Sequence, residues 1–418
     1  MNILVIGNGF DIAHGIPSSY KNFLDFVIAY KKVYKYYASL NTIEKNNFSN
    51  GITKISSIYK DASFIMNEMT LSNSRASEFG KMINHNCWIE YFFGRTSQLE
   101  RKHNWVDIEE EISRVIKALT QLHKTNKGID FSAEEMYKID CVLDSEVHGR
   151  TAGFDRENEV LLTFMNSLME EQPGHQITNQ KRREYWQKFT SILSADFSNL
   201  VRSLELYLDY FIDFTKLSKS DIFDGIKFDH LVTFNYTNTY RVLYNSRISG
   251  DFIHGRAQAW RDKEESDVVL GIEEFLDEDQ KNKNVEFIAY RKYYQRIIKH
   301  CDFSYRKVLE NSNNAISTWF FGHSLASSDK DILTHLLPSS DLASQFSSPK
   351  KSNVKKSYIC YYSQHTLEQQ VANLVQILGQ EALNDLVCGP DPKIKFVFQD
   401  NFKKERMISM NEERTYRT

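Results

Sequence analysis

Short apolar runs separated by stretches of helical period are the main pattern of this chain. The first run, residues 2–6, ends at once in a glycine turn, which is typical of a strand buried on both faces. Further runs of strand character follow, over residues 230–236, 251–255, 267–271, 316–322, 357–363 and 393–399. Because helical patterns lie between the later runs, the sequence predicts a parallel α/β sheet with helices on both faces.

The region between the first two strands has a helical period almost throughout. Asp107 and Glu110 have the spacing of a capping box at the start of its best-defined helix. The apolar stripe of that helix contains Trp105, Ile108, Ile112, Val115, Ile116 and Leu119. Glu110 projects away from this stripe, whereas Glu109 lies at its edge, either facing a cleft or as a rim carboxylate at the solvent boundary.

This helical region is far longer than a crossover between parallel strands requires, and it therefore predicts an insertion. We expect a discontinuous Rossmann-like nucleotide-binding domain over residues 1–80 and 216–400. A helical subdomain over residues 81–215 would stand above the strand ends. The last residues, 401–418, are highly charged and are expected to form a loose tail.

Composition narrows the class of protein. With a net charge of −3 over 418 residues, the chain has no basic field, and so no strong nucleic-acid signal. The basic cluster at residues 350–356 is interpreted as a solvated loop. Five separated cysteines without C-x-x-C or H-E-x-x-H motifs predict no metal site. No signal peptide or membrane-length apolar run is present, so we expect a cytoplasmic protein without a membrane partner.

Polar residues follow several of the predicted strands at the point where each strand ends. In an open parallel sheet, ligands bind beyond the carboxyl ends of the strands. These residues are Gly7, Asn8, Gly9 and Asp11; Asn235, Tyr236 and Thr237; His254 and Gly255; Gly322, His323, Ser324 and Asp329. Their shared placement predicts that eight of them line one cleft: Gly7, Asn8, Gly9, Asp11, Asn235, His254, Gly322 and Ser324.

Each of these residues also has an ordinary structural interpretation. Gly7 and Gly9 would leave main-chain N–H groups bare for a phosphate, but a tight turn after a buried strand also occurs without a ligand. Ile12 occupies the place of the third glycine of G-x-G-x-x-G. His254 is either a base or a hydrogen-bonded structural histidine. Asn235 and Ser324 are alternatively helix caps.

These motifs together resemble the AbiH family of bacterial abortive-infection proteins, which act against phage. The resemblance runs from residue 1 to about residue 380. It rests on Gly7-Asn-Gly-Phe-Asp11, His14-Gly15, Ser19-Tyr20, Trp105 with Asp107 and Glu109, Thr233–Thr237, Ile253–Gly255, and Phe321–Leu325 with Asp329.

That family in turn looks similar to the sirtuin-like (DHS-like) nucleotide-binding fold. The resemblance implies that the Gly7–Gly9 turn meets the NAD pyrophosphate, that Asn235 holds the nicotinamide ribose, and that His254 lies near the ribose hydroxyls. Further implied nucleotide contacts are Phe10, Tyr236, Gly255, Gly322, His323, Ser324 and Asp329. The chain departs from the sirtuin pattern at Thr237, where an Asp is usual, and it lacks the four-cysteine zinc module, so deacylation is not expected.

The leading hypothesis is an NAD(P) glycohydrolase. His254 would accept the proton of the attacking water, Asn235 would hold the ribose or that water, and Asp11 or Glu109 would stabilise the cationic centre. One alternative is a non-catalytic nucleotide sensor, and a less favoured one is a nuclease. The expected partners are an NAD-like nucleotide, a phage-derived trigger or a partner defence protein, and a second copy of the chain.

Overall fold

The computed structural model describes residues 1–39, 74–99, 108–125, 179–272, 287–301, 303–312, 315–340 and 353–415. The predictions made for Trp105, Asp107 and residues 350–352 lie outside these ranges. The chain forms two compact units. The first contains Met1–Ser18, Ile212–Ala257 and His300–Thr418, and the second contains Ser19–Phe211 and Gln258–Lys299.

Six parallel strands form the sheet of the first unit, in the order β3-β2-β1-β4-β5-β6. They are β1 Asn2–Ile6, β2 His230–Thr233, β3 Gly250–Phe252, β4 Ile316–Phe321, β5 Val354–Tyr361 and β6 Ile394–Phe398. Ile6 is level with Thr233 on one side and with Phe321 on the other, so the strands on both sides of β1 end at the same edge. The predicted parallel sheet, with the first strand inside it, is confirmed.

The α-helices of the described residues are, in chain order, α1 Asn8–Ala13, α2 Tyr20–Ser39, α3 Ser74–Ile83, α4 Cys87–Leu99, α5 Ile108–Thr125, α6 Asn179–Leu206, α7 Thr239–Leu243, α8 Lys292–Ile298, α9 Ser304–Asn311, α10 Lys330–Leu336, α11 Gln364–Leu378, α12 Gln380–Cys388 and α13 Phe402–Thr415. A short π-helix, Tyr207–Phe211, continues α6. Between β1 and β2 the described elements are all helical.

Each face of the sheet has its own hydrophobic core, because successive strand residues point to opposite faces. Ile3 and Val5 pack in one core with apolar residues of α9, α10, α11 and α12. Leu4 and Ile6 pack in the other with Phe10 of α1, as well as residues of α7 and α13. Helices therefore cover both faces, as predicted.

The second unit is helical, and the apolar stripe predicted for α5 is confirmed. Its members in the described residues are buried: Ile108, Ile112, Val115, Ile116 and Leu119. Arg202 of α6 is also buried and donates to Glu78 at 2.7 Å and to Glu205 at 2.8 Å. Two main-chain carbonyls, of Ala259 and Arg261, accept its remaining N–H groups.

Two predictions about local structure are wrong. Residues 267–271 form no strand of the sheet but lie in the second unit, where Val268–Leu270 are buried. Gln295 of α8 bonds both the N–H and the C=O of Leu270, which satisfies backbone groups that a neighbouring strand would otherwise take.

The expected loose tail is instead helix α13 over Phe402–Thr415. Phe402 belongs to the core, and the guanidinium of Arg406 lies 5.3 Å from the centre of the Trp319 ring. A charged sequence is thus anchored by one aromatic ring and by the cation–π contacts of Arg406 with Trp319 and Phe228. No helix of the described residues is long and apolar enough to cross a membrane.

Candidate functional site

The glycine turn after β1 packs directly against the loop after β4. Gly7 N donates to Phe321 O at 3.2 Å, and Gly9 N donates to Gly322 O at 2.8 Å. A Cβ on Gly9 would lie 2.7 Å from Gly322 Cα, so the two backbones approach too closely for a side chain. The prediction that the Gly7 and Gly9 amides are bare for a phosphate is therefore wrong, because a neighbouring loop already uses them. Beside them, Asn8 Oδ1 accepts from Ser18 Oγ at 2.5 Å.

Asp11, on α1, is buried with hydroxyl groups as its partners. Its Oδ2 accepts from Thr237 Oγ1 at 2.6 Å. The Thr237 hydroxyl oxygen accepts in turn from Thr239 Oγ1 at 3.0 Å. Oδ1 is buried and has no hydrogen-bond partner among the described residues. Burial raises the pKa of Asp11 to about 6, although the hydrogen bond from Thr237 opposes the rise.

Asn235 lies directly beyond β2 and does not cap a helix. Its backbone N–H donates to Thr233 Oγ1 at 3.0 Å, and the N-cap position of α7 belongs to Asn238. Its side chain is close enough to oppose the rise in the Asp11 pKa, so the two side chains are neighbours. No hydrogen bond of normal geometry joins the buried Asn235 Nδ2 to any described residue.

His254, beyond β3, faces Asp329 at the start of α10. The Nε2 atom lies 3.1 Å from Asp329 Oδ1, and both side chains are more than 90% buried. A carboxylate at ion-pair distance from Nε2 favours the imidazole proton on that nitrogen, with Nδ1 as the acceptor. Nδ1 is buried without a hydrogen-bond partner in the described part of the chain. The alternative of a structural histidine thus accounts for only one of its two ring nitrogens.

The loop beyond β4 is held rigidly. Gly322 and Leu325 both have left-handed backbones, with φ of +65° and +56°. His323 Nδ1 accepts from Leu325 N at 2.9 Å, which fixes the ring proton on Nε2. Gln370 and Asn373 of α11 donate to the carbonyls of His323 and Ser324. The Ser324 side chain remains exposed and caps no helix.

The remaining predicted residues of the first unit support this arrangement. Ala257 N donates to Tyr236 O at 2.8 Å, which ties the loop beyond β3 to the loop beyond β2. Gly255 makes that path possible with φ of +75°. The Phe10 ring is fully buried among other aromatic rings, including Phe223, and belongs to the core.

Glu109 belongs to the second unit. Its Oε2 pairs with the ammonium of Lys292 at 2.7 Å, and Tyr20 donates to its Oε1 at 3.2 Å. The Lys292 side chain is only 4% exposed, so this carboxylate neutralises a buried cation. All other predicted site residues belong to the first unit.

Three buried polar atoms therefore follow three adjacent strands: Asp11 Oδ1 after β1, Asn235 Nδ2 after β2 and His254 Nδ1 after β3. They comprise an anionic acceptor, a neutral donor and a neutral base. Buried polar atoms without partners are uncommon in folded proteins and call for an explanation such as a ligand or water. The sequence placed Thr237 after a strand but did not reveal that its hydroxyl is the partner of Asp11.

A parallel sheet in the order 3-2-1-4-5-6, with polar groups where the order reverses, defines a doubly wound, Rossmann-like α/β protein. A family model described as Bacteriophage abortive infection AbiH matches residues 3–346. The chain therefore belongs to the AbiH family of phage abortive-infection proteins. Comparisons with curated proteins and with solved structures gave no match. Similarity to sirtuins stays a prediction.

Proposed function

We propose that this abortive-infection protein is an effector that hydrolyses the N-glycosidic bond of NAD or a closely related nucleotide. The observation that carries the proposal is a set of three buried polar atoms, on Asp11, Asn235 and His254, that lack a hydrogen bond of normal geometry within the described part of the chain. Their chemistry matches what the reaction needs: a negative charge, a ribose or water anchor, and a proton acceptor.

In the proposed reaction, a water attacks C1′ of the nicotinamide ribose. The C1′–N bond breaks, and its electron pair passes to the pyridinium nitrogen, so nicotinamide leaves neutral. The water gives its proton to His254 Nδ1, and ADP-ribose is the second product. Because the leaving group already has a positive charge, no general acid is needed for its departure.

Asp329 and Asp11 have separate parts in this reaction. Asp329 faces Nε2 of His254 and so orients the ring with Nδ1 as the base. Asp11 stabilises the positive charge that develops at C1′, and it can do so only when ionised. Glu109 is given no part, because Lys292 already neutralises it. Ser324, exposed beyond β4, supplies a hydroxyl for the dinucleotide phosphates.

The direct test is release of nicotinamide from NAD by purified protein and loss of NAD in phage-infected cells. We expect His254→Ala to lower the rate about 10²–10⁴-fold, since it removes the positioned proton acceptor. His365→Ala is a matched control, because His365 is exposed on α11 and outside the site. It should keep both the rate and phage protection.

Two outcomes would contradict the proposal. If infected cells keep their NAD while the wild-type protein protects them, NAD cleavage is the wrong reaction. If His254→Ala still protects while Asn235→Ala does not, the cleft acts as a nucleotide sensor without catalysis.

A further inference from the structure

Two arginines lie against one aromatic ring beside the proposed cleft. The guanidinium carbon of Arg241, on α7, is 5.4 Å from the centre of the Phe252 ring, and that of Arg256 is 5.8 Å from it. Phe252 is the last residue of β3, and Arg256 follows His254 by two positions. Arg256 therefore shares the loop beyond β3 with the candidate base, and Arg241 reaches the same aromatic ring from α7 with its Nη2 bonded to Gly250, the first residue of β3.

The positive charge of Arg241 is not neutralised by an ion pair within the described residues. Its Nη2 donates to Gly250 O at 3.2 Å, and its Nε is buried without a partner. Burial and the nearby charge of Arg256 both lower the pKa of Arg241, so the two guanidiniums are close enough to repel. The nearest carboxylate, Asp251, raises that pKa but is already bound by His230 and Ser304.

Bringing two like charges together in a half-buried place is unfavourable unless an anion lies between them. The planar guanidinium fork matches the oxygens of a phosphate, and two forks match a dianionic phosphate monoester. In doubly wound dinucleotide-binding folds, the group beyond the second strand reads the 2′ position of the adenosine ribose, and an arginine there accommodates a 2′-phosphate. Arg241 and Arg256 follow β2 and β3 respectively.

We propose that Arg241 and Arg256 bind a phosphate monoester that the nucleotide carries outside its pyrophosphate. The preferred ligand is then a 2′-phosphorylated nicotinamide dinucleotide, NADP, rather than NAD. This inference rests on the proposed function, because it assigns the ligand of the same cleft. The Phe252 ring lies against both guanidinium groups and so holds them near one another.

The first test uses inorganic phosphate alone and does not depend on any nucleotide. The melting temperature of the full chain is measured against phosphate concentration at constant ionic strength. Arg241→Gln should raise, by about tenfold or more, the phosphate concentration at which the melting temperature has reached half of its total increase. The reason is that a hydrogen bond between charged groups is lost. Arg241→Lys keeps the charge without the fork and should fall between. Arg247→Gln, exposed in the turn before β3, is the control and should match wild type.

The second test compares binding of NADP and NAD by calorimetry. Wild type should bind NADP at least about tenfold more tightly, and both Arg241→Gln and Arg256→Gln should remove this preference while leaving NAD affinity within about threefold.

The outcomes separate the two proposals. If phosphate protects wild type and Arg241→Gln equally, the arginine site is refuted, whether or not NAD is cleaved. If phosphate protects only wild type and neither nucleotide binds, the anion site stands and the proposed function fails. Equal binding of NADP and NAD by wild type refutes the assigned ligand.

Discussion

Two buried charged side chains, one in each unit, differ in whether groups of opposite charge surround them. Arg202 in the second unit meets two carboxylates and two carbonyls. Burial alone would lower its pKa, but the hydrogen bonds that it donates to Glu78 and Glu205 raise the pKa of Arg202 above the ordinary value. Asp11 in the first unit meets only hydroxyl and amide groups, and burial raises its pKa to about 6.

The difference indicates which of the two charges serves the fold. A buried ion whose polar atoms all have hydrogen-bond partners contributes to the fold, because removing a partner is strongly destabilising. It has no free atom with which to bind a ligand. A buried carboxylate that keeps one oxygen unpartnered destabilises the native state at neutral pH, so its retention points to function. The following experiments test this contrast, starting with the largest expected effect.

Arg202→Met should lower the free energy of unfolding by about 3–5 kcal/mol, because Glu205 would then be buried without its cation. Urea unfolding at pH 7 measures it. Arg75→Met is the control, since the Arg75–Glu78 pair is partly exposed and should cost less than about 1 kcal/mol. Equal effects of the two substitutions would show that Arg202 is not the more tightly held group.

Asp11→Asn should stabilise the protein at pH 8 and not at pH 4. A carboxyl group whose folded pKa is raised from 3.8 to about 6 favours the native state below pH 4, and this contribution is lost as pH rises through 6. The difference at pH 8 is at most about 3 kcal/mol. Urea unfolding at both pH values measures it, and a loss of stability at pH 8 would contradict the unpaired carboxylate.

The same carboxylate should appear in the pH profile of nicotinamide release. Since Asp11 acts when ionised, its contribution to the rate should fall as pH falls through about 6. Asp11→Asn should be slow at every pH and should lack this step. A mutant as fast as wild type would remove Asp11 from the proposed reaction.

Thr237→Val should cost about 1.5–3 kcal/mol at pH 8, because the carboxylate of Asp11 loses its hydroxyl donor. The cost should shrink at pH 4, where Asp11 is protonated. Thr318→Val is the control, because the buried Thr318 hydroxyl bonds Leu336 O and Ser357 Oγ rather than a carboxylate, so its cost should not change with pH. A cost that does not change with pH would mean that Thr237 serves packing alone.

Glu109→Gln should have the smallest effect, about 1–2 kcal/mol of unfolding free energy, because one side of its pair with Lys292 is open to solvent. The rate of nicotinamide release should stay within about threefold of wild type. A loss of rate with unchanged stability would restore Glu109 as a candidate for the stabilising charge.

The sheet could be predicted from the sequence because its strands are short apolar runs that end in turns. Asn2–Ile6 and Ile316–Phe321 are examples, and both are buried almost throughout. The same rule failed at residues 267–271, where a side-chain amide from α8, and not a neighbouring strand, satisfies the backbone. An apolar run shows that a segment is buried, but the partner of its backbone depends on tertiary contacts.

The candidate site was predictable only in part. Polar residues after strands indicated Asp11, Asn235 and His254, but their partners lie far away along the chain. Thr237 donates to a carboxylate 226 residues before it, and the Gly9 amide is used by Gly322. No local pattern reveals such pairs, because they arise only when the strand order brings the loops together.

The central place of β1 also determines when its two neighbouring strands can pair with it during synthesis. This strand is synthesised first, yet Asn2 meets its partner Trp319 only 317 residues later. At ribosomal speeds of about 5–20 residues per second, the interval is on the order of tens of seconds. During that time the apolar strand has one side without its neighbour. A chain whose synthesis stops before β4 lacks both the loop at Gly322 and Asp329. In such a chain His254 would lack the carboxylate that faces its Nε2, so the site described above would be incomplete.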